Sequence, residues 1–226
     1  MEPPPLRSGD LRPIPASQVL GFGAILVLAG RAAHLEAVRR QQQGYPPMKF
    51  KFASAAPSEP TVFGAQRPGY DYHTVRQEMI VEWTDFMQAN GIRRVCCLLP
   101  EEQLAFYNTD LLASYRKSFG SQNVCHVEVQ DLHLIDLADL EQTILPFLRE
   151  SDRIGVPVVV HCSGGSGRTG HVLAAWLVRE RLIPLTEAIA LLRKTMREPY
   201  EAVITGNATQ QQLTSLITGR KAKAGA

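Results

Sequence analysis

Charge of either sign is nearly absent as a net quantity from this 226-residue chain: 24 Lys and Arg stand against 22 Asp and Glu, leaving +2 at pH 7. That balance excludes the strong basic patch of a nucleic-acid binder, and no nucleic-acid partner is expected. Cysteine is scarce, with four residues, two of them adjacent as Cys96-Cys97. Such a set is not a disulfide framework, so a reducing, cytoplasmic compartment is expected. No His or Cys spacing suits zinc and no segment repeats, so no metal and no cofactor are expected. Long apolar runs are missing with one borderline exception, the uncharged stretch Pro13 to Gly30 centred on residues 19–29.

What is present is 45% hydrophobic, enough for the core of one domain of about 150 to 200 residues plus an extension. Met1 to about Pro15 has the Pro- and Arg-rich composition of an unstructured arm. Residues 19–29 hold two glycines and are short for a bilayer span. They can be read as a weak anchor, as a helix packed on the domain, or as a segment outside the native chain, with Met48 as the start. Membrane contact is not the favoured reading. The expected organisation is an extension over 1–47, a linker over 48–60, a domain over 61–218 and a frayed tail over 219–226.

The domain is organised around His161-Cys162-Ser163-Gly164-Gly165-Ser166-Gly167-Arg168-Thr169-Gly170. An apolar run, Val156 to Val160, precedes it, and a second, Val172 to Val178, follows it. Strand, turn and helix put such a loop at the carboxyl end of a strand, with its N–H groups gathered at a helix N-terminus, where an anion binds. Gly164, Gly165 and Gly167 let successive amides converge on one point, with Ser163 and Ser166 between them. A thiol among such amides and beside a guanidinium is drawn towards thiolate, the nucleophilic form, which is the role expected of Cys162. Arg168 can hold two phosphate oxygens with its planar fork, and the Thr169 hydroxyl can hydrogen-bond the sulfur as it leaves. A Walker-type nucleotide loop is excluded because no Gly-Lys-Ser/Thr follows.

The full string His-Cys-x-x-Gly-x-x-Arg-Thr-Gly resembles the signature loop of the cysteine-dependent protein tyrosine and dual-specificity phosphatases, and the similarity runs from about Thr61 to Leu216. The resemblance implies an α/β fold with a central, mostly parallel sheet of four or five strands flanked by helices. It implies a phosphomonoester hydrolase working through a cysteinyl-phosphate, on a phosphorylated protein or a small phosphate ester. Relatives acting on inositol lipids often carry lysines in this loop. None is present here, which favours a substrate with one phosphate. Other readings are a phosphate-binding module without turnover, a phosphatase of inositol or other small-molecule phosphates, and a thiol-based arsenate reductase or sulfurtransferase.

Protonation of the leaving oxygen needs a carboxyl opposite the thiolate. Two aspartates compete after the apolar strand 124–129: Asp131 at the strand end, and Asp136 further out on a loop able to close. In cell-division-cycle and regenerating-liver relatives the acid is the second of two aspartates at this spacing, so Asp136 is the expected acid, with an N-cap as its bland alternative. His161 is expected to order the loop, not to move protons. By the same resemblance Arg67 lies near the substrate mouth, touching phosphate or bracing the loop, and Gln210 orients the attacking water. Cys96 or Cys97 forming a disulfide with Cys162 is a further possibility. Helices are expected from Val75 to Asn90, from Pro100 to Gly120, and from Asp136 through Leu148.

Overall fold

The computed structural model describes residues 48–220. The arm, the apolar run 19–29 and most of the tail lie outside the described residues. Among those described, no helix is long and apolar enough to cross a membrane.

Five strands form one sheet: β1 (Ala53–Ser54), β2 (Val62–Gln66), β3 (Arg94–Cys97), β4 (Val124–His126) and β5 (Val158–Cys162). Their order is β1-β2-β5-β3-β4; only the β1–β2 pair is antiparallel. The strand leading into the glycine loop is therefore central, with parallel neighbours on both sides. All five of its residues are buried, as expected where helices cover both faces of a parallel sheet. Side chains alternate: Val158, Val160 and Cys162 join one apolar cluster and Val159 the other.

The helices are α1 (Gln77–Ala89), α2 (Glu101–Leu104), α3 (Leu111–Phe119), α4 (Leu137–Asp139), α5 (Leu145–Arg153), α6 (Gly167–Glu180), α7 (Leu185–Lys194), α8 (Glu201–Ile204) and α9 (Gln210–Thr218). Helix α6 is buried along eleven residues and packs against α7 and α9. The opposite layer is built on Trp83 of α1 and Tyr115 of α3, both fully buried; truncating such a Trp typically costs about 3–5 kcal/mol.

Three sequence expectations change. The single helix expected from Pro100 to Gly120 is two, because Asp110 caps a new helix by accepting from Ala113 N–H at 2.9 Å. The helix after Asp136 passes through a π-helical stretch over residues 140–144 before α5. Pro146 lacks an N–H and crowds the preceding turn, so regular α hydrogen bonding cannot run through it. The segment 48–60, expected to be a linker, pairs β1 with β2. It also buries Glu59, which accepts from Trp176 Nε1 at 3.0 Å and Arg181 Nε at 2.7 Å and so ties the segment to α6 and its end.

Candidate active site

The loop turns sharply because of two glycines. Gly165 has φ +66°, and a Cβ there would stand 2.5 Å from Ala65 O, so no side chain fits between the loop and β2. Gly167 opens α6, and a Cβ there would collide with the Glu201 carboxylate. Cys162, the last residue of β5, is 2% exposed at the base of this curl. Ser163, Gly164 and Ser166 complete the loop, with the ring of Tyr70 packed against Gly164.

Arg168 is 2% exposed. Its Nη1 donates to Val129 O at 2.9 Å and Leu98 O at 3.4 Å, and its Nη2 to Gln103 Oε1 at 3.0 Å and Asp131 Oδ1 at 2.7 Å. Nε makes no hydrogen bond among the described residues, which leaves a donor for an anion. The Thr169 hydroxyl is buried without a hydrogen-bond partner among the described residues. Such a group is costly unless a ligand or reacting atom satisfies it.

The structure brings Asp131, not Asp136, to the loop. Asp136 is the N-cap of α4, accepting from Ala138 N–H at 2.7 Å, and borders a shallow groove with Thr209, Gln211 and Gln212. The physical reason is local. Leu132 takes φ +62°, Ile135 N–H is held by His171 Nε2 at 3.3 Å, and Asn207 Nδ2 holds Leu132 O at 3.0 Å. The loop expected to be mobile is thus tied at two points, with Asp131 on the side of Arg168. Gln210, the expected water-orienting residue, is exposed at the start of α9. The polar side chain of that region that reaches the aspartate loop is Asn207.

Arg67 braces the loop. It is 2% exposed, donates from Nε to Ser163 Oγ at 3.2 Å, and spends Nη1 and Nη2 on the carbonyls of Pro68, Gly69, Tyr70 and Tyr72. None of these nitrogens is left for substrate. His161 hydrogen-bonds Tyr115 Oη at 3.1 Å and Cys162 O at 3.3 Å, and burial lowers its pKa to about 3. The ring is neutral and structural. Burial likewise takes His171 to about 3.

Sequence reasoning missed three groups around the mouth. The Lys51 ammonium and the Tyr70 hydroxyl each lie within electrostatic reach of Cys162 and Glu201. Arg197, 1% exposed, is a second buried guanidinium near Cys162, lowered to about 10 by desolvation. None carries a motif, because each meets the loop only through tertiary packing. The remaining cysteines are free thiols. Cys96 faces Cys125, its register partner on β4, and burial pushes Cys97 up to about 12.

Known proteins are similar to this chain. The profile of a family described as "Tc-R-P: Polymorphic toxin system, DSP-PTPase phosphatase" matches residues 73–181, a span that includes both Asp131 and the loop. Dual specificity protein phosphatase PHS1 of Arabidopsis thaliana is 29% identical over 111 residues, 49% of this chain; the chain spans 11% of that relative's length. Tk-PTP in its active form superposes with TM-score 0.57 at 22% identity, covering 76% of this chain and 99% of its own. The kinase associated phosphatase KAP gives 0.54 at 22%, covering 69% and 86%. At such identities the two structures establish the fold, and the profile match covers 109 of the 226 residues. A buried cysteine, a glycine curl and a guanidinium at the head of a helix, on this sheet and within that matched span, are the features by which the chain is similar to the cysteine-dependent tyrosine and dual-specificity phosphatases.

Proposed function

We propose that the chain hydrolyses phosphate monoesters through a cysteinyl-phosphate on Cys162. The observation that carries the reading is the Asp131–Arg168 contact of 2.7 Å, which sets a carboxyl on the rim of the loop whose base is Cys162. In the first step the Cys162 thiolate attacks phosphorus and the bond to the leaving oxygen breaks, while Asp131 in its protonated form gives that oxygen its proton. Arg168 and the loop amides of Ser163, Gly164, Gly165, Ser166 and Gly167 hold the equatorial oxygens. In the second step Asp131, now a carboxylate, takes a proton from water as the water attacks phosphorus and the S–P bond breaks. The unpartnered Thr169 hydroxyl then has a partner, the departing sulfur. Asp131 replaces Asp136 as the proposed acid, because the carboxylate of Asp136 is engaged in capping α4.

The loop has no lysine, which supports a single phosphate on a protein side chain or a small molecule. The ammonium of Lys51 near the mouth favours, as a second reading, a substrate carrying one more anionic group, such as an inositol phosphate. Thiolate chemistry supports a reducing, cytoplasmic setting. The test is hydrolysis of a panel of phosphopeptides, aryl phosphates and inositol phosphates by wild type and Cys162→Ser. Wild type should turn over at least the aryl phosphates, with EDTA without effect, and Cys162→Ser should turn over none. Activity surviving in the serine variant would sink the reading.

A further inference from the structure

Helix α6 begins at Gly167 without a side-chain cap from Ser166. Glu201, the first residue of α8, stands in that place. A Cβ on Gly167 would come within 2.8 Å of Glu201 Cβ and Cδ and would overlap Oε2, so the carboxylate lies against the Gly167 backbone, whose amide opens α6. A negative group is well placed at a helix N-terminus. Yet this amide is one of those that an oxyanion in the loop requires. The charged groups facing Glu201 are Arg168 from α6, Asp131 from the aspartate loop and Lys51 from the N-terminal segment, with the Tyr70 hydroxyl nearby.

We propose that Glu201 is the resident anion of the unliganded loop: its carboxylate, packed on Gly167, competes by charge with an incoming oxyanion and so sets the affinity for phosphate. The inference rests on the phosphate-loop reading above. A bound dianion meets an existing negative charge on the rim, partly offset by Lys51. Burial first, and Asp131 second, raise the Glu201 pKa against the opposing pull of Arg168, the Gly167 amide and Lys51. Protonation therefore relieves the competition above the ordinary carboxylate range.

The experiment is calorimetric titration of sulfate into the full chain, as wild type and as Glu201→Gln. Sulfate stays dianionic across the mildly acidic range, so the pH dependence belongs to the protein. Glu201→Gln should bind sulfate at least roughly tenfold more tightly at neutral pH, the order expected for removing one charge a few ångströms from a dianion even at a water-like dielectric. The gap should close as pH falls, because wild type tightens while the variant does not share that gain. Equal or weaker binding by Glu201→Gln at neutral pH would overturn the proposal. If the variant does not fold, the wild-type titration alone decides, since sulfate affinity that is flat or falls with acidity contradicts it. Loss of both sulfate binding and Cys162-dependent hydrolysis in wild type would refute the phosphate loop itself. An active wild type with unaltered sulfate binding in Glu201→Gln refutes only the role of Glu201.

Discussion

If Asp131 is the general acid proposed above, Asp131→Asn removes the proton that the leaving oxygen needs and little else. The Asp131 side chain is 55% exposed, and an ion pair so open to water contributes about 0–1 kcal/mol, so the fold should lose no more than that. Loss of a general acid costs about 10²–10⁴-fold in rate where the expelled oxygen is a poor leaving group, and far less where it departs unaided. Asp136→Ala does the reverse: it removes the α4 cap, at a cost of about 1 kcal/mol in stability, and leaves the chemistry alone. The assay is kcat/KM for a series of aryl and alkyl phosphates, plotted against leaving-group pKa for wild type and both variants, with urea unfolding in parallel. Asp131→Asn should steepen the slope with its unfolding midpoint nearly unchanged. Asp136→Ala should shift the midpoint and run parallel to wild type. A steepened slope for Asp136→Ala, with Asp131→Asn parallel to wild type, would refute the assignment.

Arg67→Met strips hydrogen bonds from four carbonyls and the Ser163 hydroxyl; it should cost at least about 2 kcal/mol in chemical unfolding, buried unpaired acceptors being costly. Arg67→Lys should restore only part of this, since an ammonium cannot reproduce the fork. Gly165→Ala, at φ +66° and 2.5 Å from Ala65 O, should destabilise by more than about 1 kcal/mol and impair turnover, read by thermal unfolding and aryl phosphate assay. His161 and His171 are depressed from 6.5 to about 3 by burial, so the unfolded chain binds more protons between those values. Their contribution is full above pH 6.5 and is lost as pH falls towards 3, at about 2.7 kcal/mol per pH unit for the pair. Urea unfolding across that window should show the loss, and a flat profile would contradict the buried neutral rings.

The loop was legible because its residues are contiguous: thiol, glycines, guanidinium and hydroxyl lie within residues 161–170, between a β-branched strand and an apolar helix. The strands 94–97 and 158–162 were legible as short apolar runs. Which aspartate meets Arg168 was not, because Asp131 and Asp136 are the same residue type on one short segment. What separates them is the reach of Arg168, 37 positions away, and the positive φ at Leu132. Glu201 and Lys51 were invisible for a similar reason, since nothing in their own neighbourhoods points at Gly167 or Cys162. Segment 48–60 read as a linker because a two-residue strand has no period to detect, and its anchoring depends on one buried carboxylate, Glu59. Between Pro100 and Gly120 the apolar spacing continued through Tyr107, but the Asp110 cap restarted the helix.

The most direct measurement is acid quench of the full chain during turnover of a slowly hydrolysed aryl phosphate, followed by mass spectrometry of its peptides. A phosphoryl group should appear on the peptide carrying Cys162, be absent in Cys162→Ser, and accumulate in Asp131→Asn with an activated substrate, because attack then outpaces the water step. A phosphoryl group on another residue, or steady turnover by Cys162→Ser with no adduct at all, would contradict the account.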